Sequence, residues 1–351
     1  MILRAARPAV PALSSAWAAA ALAFLVLAVV LGLAFGPVGL GAGPIVRELG
    51  SHVPFLGVAS PFSATEDAIL WELRMPRVLL GVLVGAMLAS AGAAYQGVFR
   101  NPLADPYLLG AAAGAGLGAT LVIAYGQGTA VSRDLRPLAA FVGAVVGVGS
   151  AYAVGRSVAG GRSTATLILA GVTVAAFLTA VQTFVQQQNT DTVQEVYAWI
   201  LGQLETSGWR DVGIMVPYVA LSSAVLLLHR RLLDVLAVGD EEAASLGVHV
   251  ARVRLVVIAA ATLGTAAAVA LSGLIGFVGI IVPHAIRLLV GTSYRIVLPL
   301  SLVFGSGFLV LADLLARTVI APAELPIGVV TAFFGAPFFA VVLRTTRTAG
   351  P

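Results

Sequence analysis

Uninterrupted apolar runs, each about as long as a bilayer-crossing helix of about 20 residues, dominate this chain and leave few folds open to it. They fall at about 17–36, 78–98, 107–126, 138–155, 164–187, 212–228, 253–272, 274–292, 297–316 and 325–343. A helix of that length rises about 30 Å, the thickness of the hydrocarbon core. Barrel strands would instead alternate apolar and polar residues at period two. Composition removes the soluble alternative: 59% of the 351 residues are hydrophobic, 10% are charged and the mean hydropathy is +1.01. A soluble domain carries about 25% charged residues. So few charges cannot cover a globule of this volume in water, so most of the surface must face lipid. The expected fold is all-α, a polytopic membrane protein with ten spans forming a single transmembrane domain over 1–351. Glycines and Pro283 interrupt 253–292, which reads either as two short spans or as one span and a re-entrant piece.

The chain has no cysteine, which excludes disulfides, thiolate metal ligands and a cysteine nucleophile. All 20 basic residues are arginine. A phosphate-binding P-loop needs its lysine, as do kinase-type sites, so neither can exist here. The arginines are scattered at segment ends rather than clustered, which argues against a nucleic-acid surface. Arg4 and Arg7 precede an apolar run from Trp17 to Phe35, longer than the core of a signal peptide. It reads as an uncleaved first span.

With the N-terminus in the cytoplasm, Arg47, Arg74, Arg77, Arg133, Arg136, Arg210 and Arg317 lie outside and the remaining thirteen of the 20 lie inside. Both termini are then cytoplasmic, and Trp71, Trp199 and Trp209 fall at outer boundaries, where interfacial aromatics belong. The outer loop from Pro37 to Glu72 has room for a short surface helix. The inner loop from His229 to Val253 contains Asp240, Glu241 and Glu242, then small residues, then Leu246 and Gly247. It reads as a short exposed helix with its acids at the favourable N-terminal end and Gly247 as its stop. The stretches 74–106 and 252–284 begin with paired arginines, run through a span and end at a proline, a hint of an inverted repeat.

Several positions are candidates for chemistry. Pro102 and Pro106 cannot sit inside a regular helix, so the chain breaks in the run from Gln96 through Arg100, Asn101, Leu103 and Asp105. Broken backbone at membrane depth is buried in protein or lines a wet cavity. Gly273, Gly276 and Gly279 precede Pro283 and His284 at a second interruption. No second ligand stands at metal spacing from His284, so it reads as a packed or boundary histidine. Asp313 and Arg317, four apart, suit an ion pair across one helical turn, leaving the free face of Arg317 as the functional candidate. Gln182, Gln186, Gln187 and Gln188 either line a polar mouth or form a polar helix end. No catalytic constellation is present.

These motifs, in this order, resemble one family. They are Arg74-Met-Pro-Arg77, the run from Gln96 to Pro106 with Gly110, Leu167 to Gly171, Gly239 to Val248, Phe277 through His284 with Arg287, Leu298-Pro299, Ala312-Asp313 with Ala316-Arg317, and Glu324 to Gly328. The chain resembles the FecCD and BtuC-like permease subunits of type II ATP-binding cassette importers for iron siderophores, haem and cobalamin. The likeness runs over about 65–345, with 1–64 holding the first span and outer loop.

The resemblance implies a homodimer with a central pathway in a bacterial or archaeal inner membrane. It also implies two separate ATPase subunits inside, a periplasmic or lipoprotein substrate-binding protein outside, lipid around, and no nucleic acid, cofactor or metal site. By the same resemblance, Arg74, Arg77 and Arg317 meet acids of the binding protein. Asp240, Glu241, Glu242, Ala243, Leu246 and Gly247 dock into the ATPase, and Gln96, Asn101, Leu103, Thr164 and Ala165 lie along the pathway or its inner gate. Ala165 replaces a hydroxyl common in the family, and Ser293-Tyr294 replace an Asp-His pair before Arg295. An ion-coupled secondary transporter is the alternative. It would require carboxylates along a path, and only Asp313 lies well within a span.

Overall fold

The computed structural model describes residues 13–53, 55, 59–126, 130–157, 164–204 and 208–347. Arg4, Arg7 and Arg162, assigned above to the inner side, lie outside the described residues. The described chain is helical. α1 (Ser15–Ala34) leads to a short amphipathic α2 (Ala42–Ser51) in the first long loop, as that loop's length allowed. α3 (Ala64–Ala68) passes through one π-helical stretch into α4 (Met75–Phe99). Then come α5 (Ala111–Tyr125), α6 (Ala130–Ser157), α7 (Thr164–Gln188), α8 (Val193–Ile200) and α9 (Trp209–Val238). The chain ends with α10 (Asp240–Ser245), α11 (Val250–Ser272), α12 (Val278–Val290), α13 (Tyr294–Thr318) and α14 (Ile327–Arg347).

Each apolar stretch of the sequence coincides with one helix. Among the described residues, seven helices are long and apolar enough to cross a membrane. The other three stretches are shorter: α5 and α12 have 15 and 13 residues, and the apolar part of α14 runs Ile327–Val342. The interruption at 273–277 separates α11 from α12 as two helices. By length α12 reaches only about 20 Å.

One expectation fails at α9. Its apolar stretch ends near residue 228, yet the helix continues to Val238, 30 residues in all. Hydropathy marks where lipid ends, whereas a helix stops only where its backbone is capped or broken. Here that is Gly239, at φ +150°.

α4 is the centre of the bundle and packs against α9, α11, α12 and α13. Its small residues let backbones touch, the usual basis of helix association in lipid. A Cβ on Gly92 would lie 2.0 Å from the carbonyl oxygen of Gly279, and one on Gly85 would lie 2.3 Å from that of Gly305. α5 and α6 cross equally closely at Gly114 and Gly143. The Tyr95 and Thr262 hydroxyls, 2.7 Å apart, join α4 to α11 inside the core.

The bundle has two chemically distinct ends. At one, the Trp209 indole donates to the Trp71 carbonyl at 2.9 Å and the Trp71 indole donates to Glu48 of α2 at 3.3 Å. At the other lie Arg100, Asp240 and Arg254.

Candidate functional site

Three groups of polar residues stand out against the apolar bundle, one at the tryptophan end, one where α4 breaks, and one on the loop after α9.

At the tryptophan end, Arg74, Arg77 and Arg317 converge around the last turn of α1. The final carbonyls of a helix lack intrahelical donors, and the dipole makes that end negative. Arg74 Nη1 donates to the carbonyls of Leu33 (2.7 Å) and Ala34 (3.4 Å), and its Nη2 donates to that of Val38. Arg317 Nη2 donates to the Gly32 carbonyl at 2.5 Å, and its Nε lies 3.2 Å from Asp313. The Asp313–Arg317 pair therefore forms as its spacing suggested. The free outer face expected of Arg317 does not exist: the residue is 3% exposed and Arg74 is 6% exposed. Both guanidiniums serve as the cap that α1 cannot make for itself. Arg77 is engaged differently. It grips Asp313 (2.8 Å) and forms a two-pronged pair with Glu324, at 3.0 and 2.7 Å, at the open rim. Glu324 is the more exposed partner, and another carboxylate could replace it.

The break after α4 starts at Arg100, held at φ +49°. Asn101 Oδ1 accepts from the Leu103 amide at 2.9 Å and Asp105 Oδ1 from the Tyr107 amide at 2.8 Å, so side chains take over the backbone bonds that the prolines abolish. Burial pushes the Asp105 carboxyl up to about 6, partly opposed by the Tyr107 amide. The second break docks directly onto the first. Tyr107 hydroxyl donates to the Ile275 carbonyl at 3.1 Å and accepts from the Ile275 amide at 3.2 Å, while Gln96 Nε2 donates to the Gly279 carbonyl at 3.0 Å. Gln96 Oε1 accepts from Arg287 of α12, whose guanidinium also lies over the Tyr294 ring, 5.4 Å from its centroid.

Gln96 and Asn101 thus share one junction. Leu103 is exposed beside it, and Ala165 is exposed near the start of α7. Thr164 opens α7, but its side chain lies outside the described residues. α7 meets the break only farther along, where Gly171 abuts the Leu108 carbonyl. Gln182 is buried against Gly116 rather than lining a mouth, and Gln187 and Gln188 are exposed at the helix end. His284 sits edge-on to Phe338, with ring centroids 6.0 Å apart.

The loop after α9 folds as α10, starting at Asp240 as its acids suggested, and turns at Gly247 with φ +82°. Ala243 is fully buried against the bundle, whereas Glu241, Glu242 and Leu246 are exposed. Asp240 faces inward, 3.0 Å from Arg254 at the start of α11 and 3.3 Å from Arg100 at the break. Neither Arg100 nor Arg254 carries a sequence signal for this role. Their approach to an acid across the turn is visible only in three dimensions. Asp234 was also missed. It accepts from the Tyr294 amide (2.6 Å) and the Ser293 hydroxyl (2.8 Å), capping α13. Its only sequence signal was an acid near the apolar end of α9.

The FecCD transport family matches residues 24–345. The chain is 39% identical over 328 residues to the uncharacterised ABC transporter permease protein YvrB of Bacillus subtilis (strain 168), covering 93% of each. It is 42% identical over 280 residues to the cobalamin import system permease protein BtuC of Halobacterium salinarum, covering 80% of this chain and 74% of that one. A solved metal-chelate type ABC transporter in an inward-facing conformation superposes with a TM-score of 0.78 at 30% identity, over 93% of this chain and 98% of the other.

Proposed function

Because the chain belongs to the FecCD transport family, we propose that it is the membrane-spanning permease of an ATP-binding cassette importer for a bulky metal chelate. ATP is hydrolysed by separate ATPase subunits. In this reading two copies of the chain flank one pathway, both termini face the cytoplasm, and a substrate-binding protein docks at the tryptophan end. The chelate class follows from the relative named for cobalamin and from the metal-chelate transporter of the same fold.

One observation carries the mechanism: Asp240 of α10 is held by Arg100 and Arg254. A force applied to α10 by an ATPase then reaches the break after α4 through an ion pair. From there it reaches α12 through Gln96 and Tyr107. Two discrete arrangements of these broken segments would make the outward- and inward-open pathway. Leu246 and Val238, 70% and 68% exposed beside the acids, give α10 an apolar face for the ATPase.

Docking of the binding protein requires its acids to displace Glu324 from Arg77, because Arg74 and Arg317 are occupied by α1. An ion-coupled mechanism is disfavoured because Asp313 is already paired with both Arg77 and Arg317. The test is uptake into proteoliposomes with and without the cognate ATPase and ATP. Uptake that needs neither would overturn the proposal.

A further inference from the structure

A cavity of about 900 Å³ opens between α6, α8 and α9 over the last turns of α11, reaching Gly273 at the start of the second interruption. It lies at the tryptophan end, with Trp199 in its wall. Its mouth is charged: Asp134 meets Arg210 at 2.6 Å, and Glu195 meets Arg136. Its floor is apolar, made by Phe141, Tyr218 and Leu271, the two rings packing at 5.4 Å. From Asp134 to Phe141 and from Arg210 to Tyr218 the depth is about 10–12 Å along the helices. Leu138 of α6, 58% exposed, forms a lip toward the bundle's exterior.

Three features together identify the occupant. α6, α9 and α11, which wall the cleft, are of bilayer length, so acyl chains of surrounding lipid can reach its apolar floor while its polar half suits a headgroup. The mouth carries both signs, with Asp134, Glu195 and Asp211 against Arg136 and Arg210. An anionic headgroup would meet more acid than base, whereas a headgroup with one phosphate and one ammonium satisfies both. Finally, the Arg136 guanidinium lines the cavity with only the half-exposed Glu195 as its carboxylate partner among the described residues, so its outer N–H groups are the donors within reach of a phosphate oxygen.

We propose that this cleft binds one phospholipid with a primary-ammonium, zwitterionic headgroup. The phosphate bridges Arg136 and Arg210, the ammonium lies between Asp134 and Glu195, and the glycerol and first acyl carbons cover Phe141, Tyr218 and Leu271. The Asp134–Arg210 pair is more than half exposed on both sides, so exchanging one partner for a headgroup sacrifices little. The site is independent of what the protein transports.

Native mass spectrometry of the full-length chain, purified in mild detergent and offered dioleoyl phosphatidylethanolamine, dioleoyl phosphatidylglycerol or N-acetylated phosphatidylethanolamine, tests it. The expected result is retention of the first about tenfold over the other two, and an about fivefold loss in both R136A/R210A and A270W. Equal retention of the three lipids, preference for the glycerol headgroup, or unchanged retention in folded variants would overturn it. The headgroup comparison uses the unaltered chain, so a variant that fails to fold does not protect the idea. Leu138→Cys adds a control in this cysteine-free background. Rapid disulfide pairing between copies would mean that protein covers the cleft, which also refutes lipid binding.

Discussion

Arg100 Nη2 stands 3.3 Å from Asp240 Oδ1, so the residue that ends the central helix α4 touches the first residue of the exposed helix α10. Arg254 reaches the same carboxylate from α11. The Arg100–Asp240 pair, more than a third exposed on both sides, contributes about 0–1 kcal/mol to stability, whereas Arg254 is buried and depends more on its partner. The exposed pair's value is mechanical. Asp240→Ala is expected to lower the unfolding temperature, because buried Arg254 loses a carboxylate, and to leave ATPase binding near normal, while ATP-dependent uptake falls several-fold relative to ATP hydrolysis. Proteoliposome uptake measured beside hydrolysis checks this. An equal loss in Arg100→Ala, which leaves the Asp240–Arg254 pair in place, would show that the contact with the break carries the coupling. Unaltered coupling in Asp240→Ala would remove the proposed route.

The arginines at the other end should separate by role. Arg74→Ala leaves buried carbonyls of α1 without donors and should cost about 1–3 kcal/mol, seen as a lower unfolding temperature in detergent. Arg77→Glu should instead slow association of the cognate binding protein, most at low salt, where charge steering is strongest. Binding kinetics by surface plasmon resonance at two ionic strengths distinguish the two. Equal association rates for the wild-type chain and Arg77→Glu would exclude Arg77 from docking.

Gly92 tests the backbone contact between α4 and α12. A methyl group there meets the Gly279 carbonyl at 2.0 Å, with backbone rather than a flexible side chain in the way. Gly92→Ala is expected to destabilise by about 1–3 kcal/mol. Gly213→Ala, where nothing lies within 4 Å, should be neutral or slightly stabilising. Thermal unfolding of the two variants side by side measures the difference.

Asp105 makes the chain's stability depend on pH in a direction opposite to that of most carboxylates. Its folded-state pKa is raised from 3.8 to about 6, so ionisation favours the unfolded state. The resulting penalty is absent below the ordinary value, grows between the two and is complete above about 6. Asp105→Asn can still accept from the Tyr107 amide. Its unfolding temperature should match that of the wild-type chain near pH 4 and exceed it near pH 8. A difference that does not change with pH would refute the assignment.

Much of this architecture was legible before any coordinates. Hydropathy located the apolar helices because lipid tolerates no unpaired backbone, and Pro102, Pro106, Gly273 and Gly276 marked the breaks, whereas Pro283, expected to interrupt the chain, lies inside α12. The acids of α10 and its terminal Gly247 set both ends of that helix. What stayed hidden depended on distant partners. Arg74 and Arg317 read as surface charges, yet they bind main-chain carbonyls of α1, and a carbonyl has no signature in sequence. Tyr107 joins two breaks through a hydroxyl that an apolar segment gives no reason to expect. The overrun of α9 was hidden because its last turns are amphiphilic rather than apolar, and a helix needs no lipid to continue.

That overrun has a geometric consequence. Thirty residues make a rod about 45 Å long, about half as long again as the hydrocarbon layer it would cross. α10 is attached at its end through Gly239 alone. This rod is anchored as far as its last turns, where Leu233 and Leu236 are buried and Asp234 caps α13, so its end moves with the bundle and carries the ATPase-facing helix with it. A sideways push of a few ångströms at that tip then reaches α4 and α11, which lie along it.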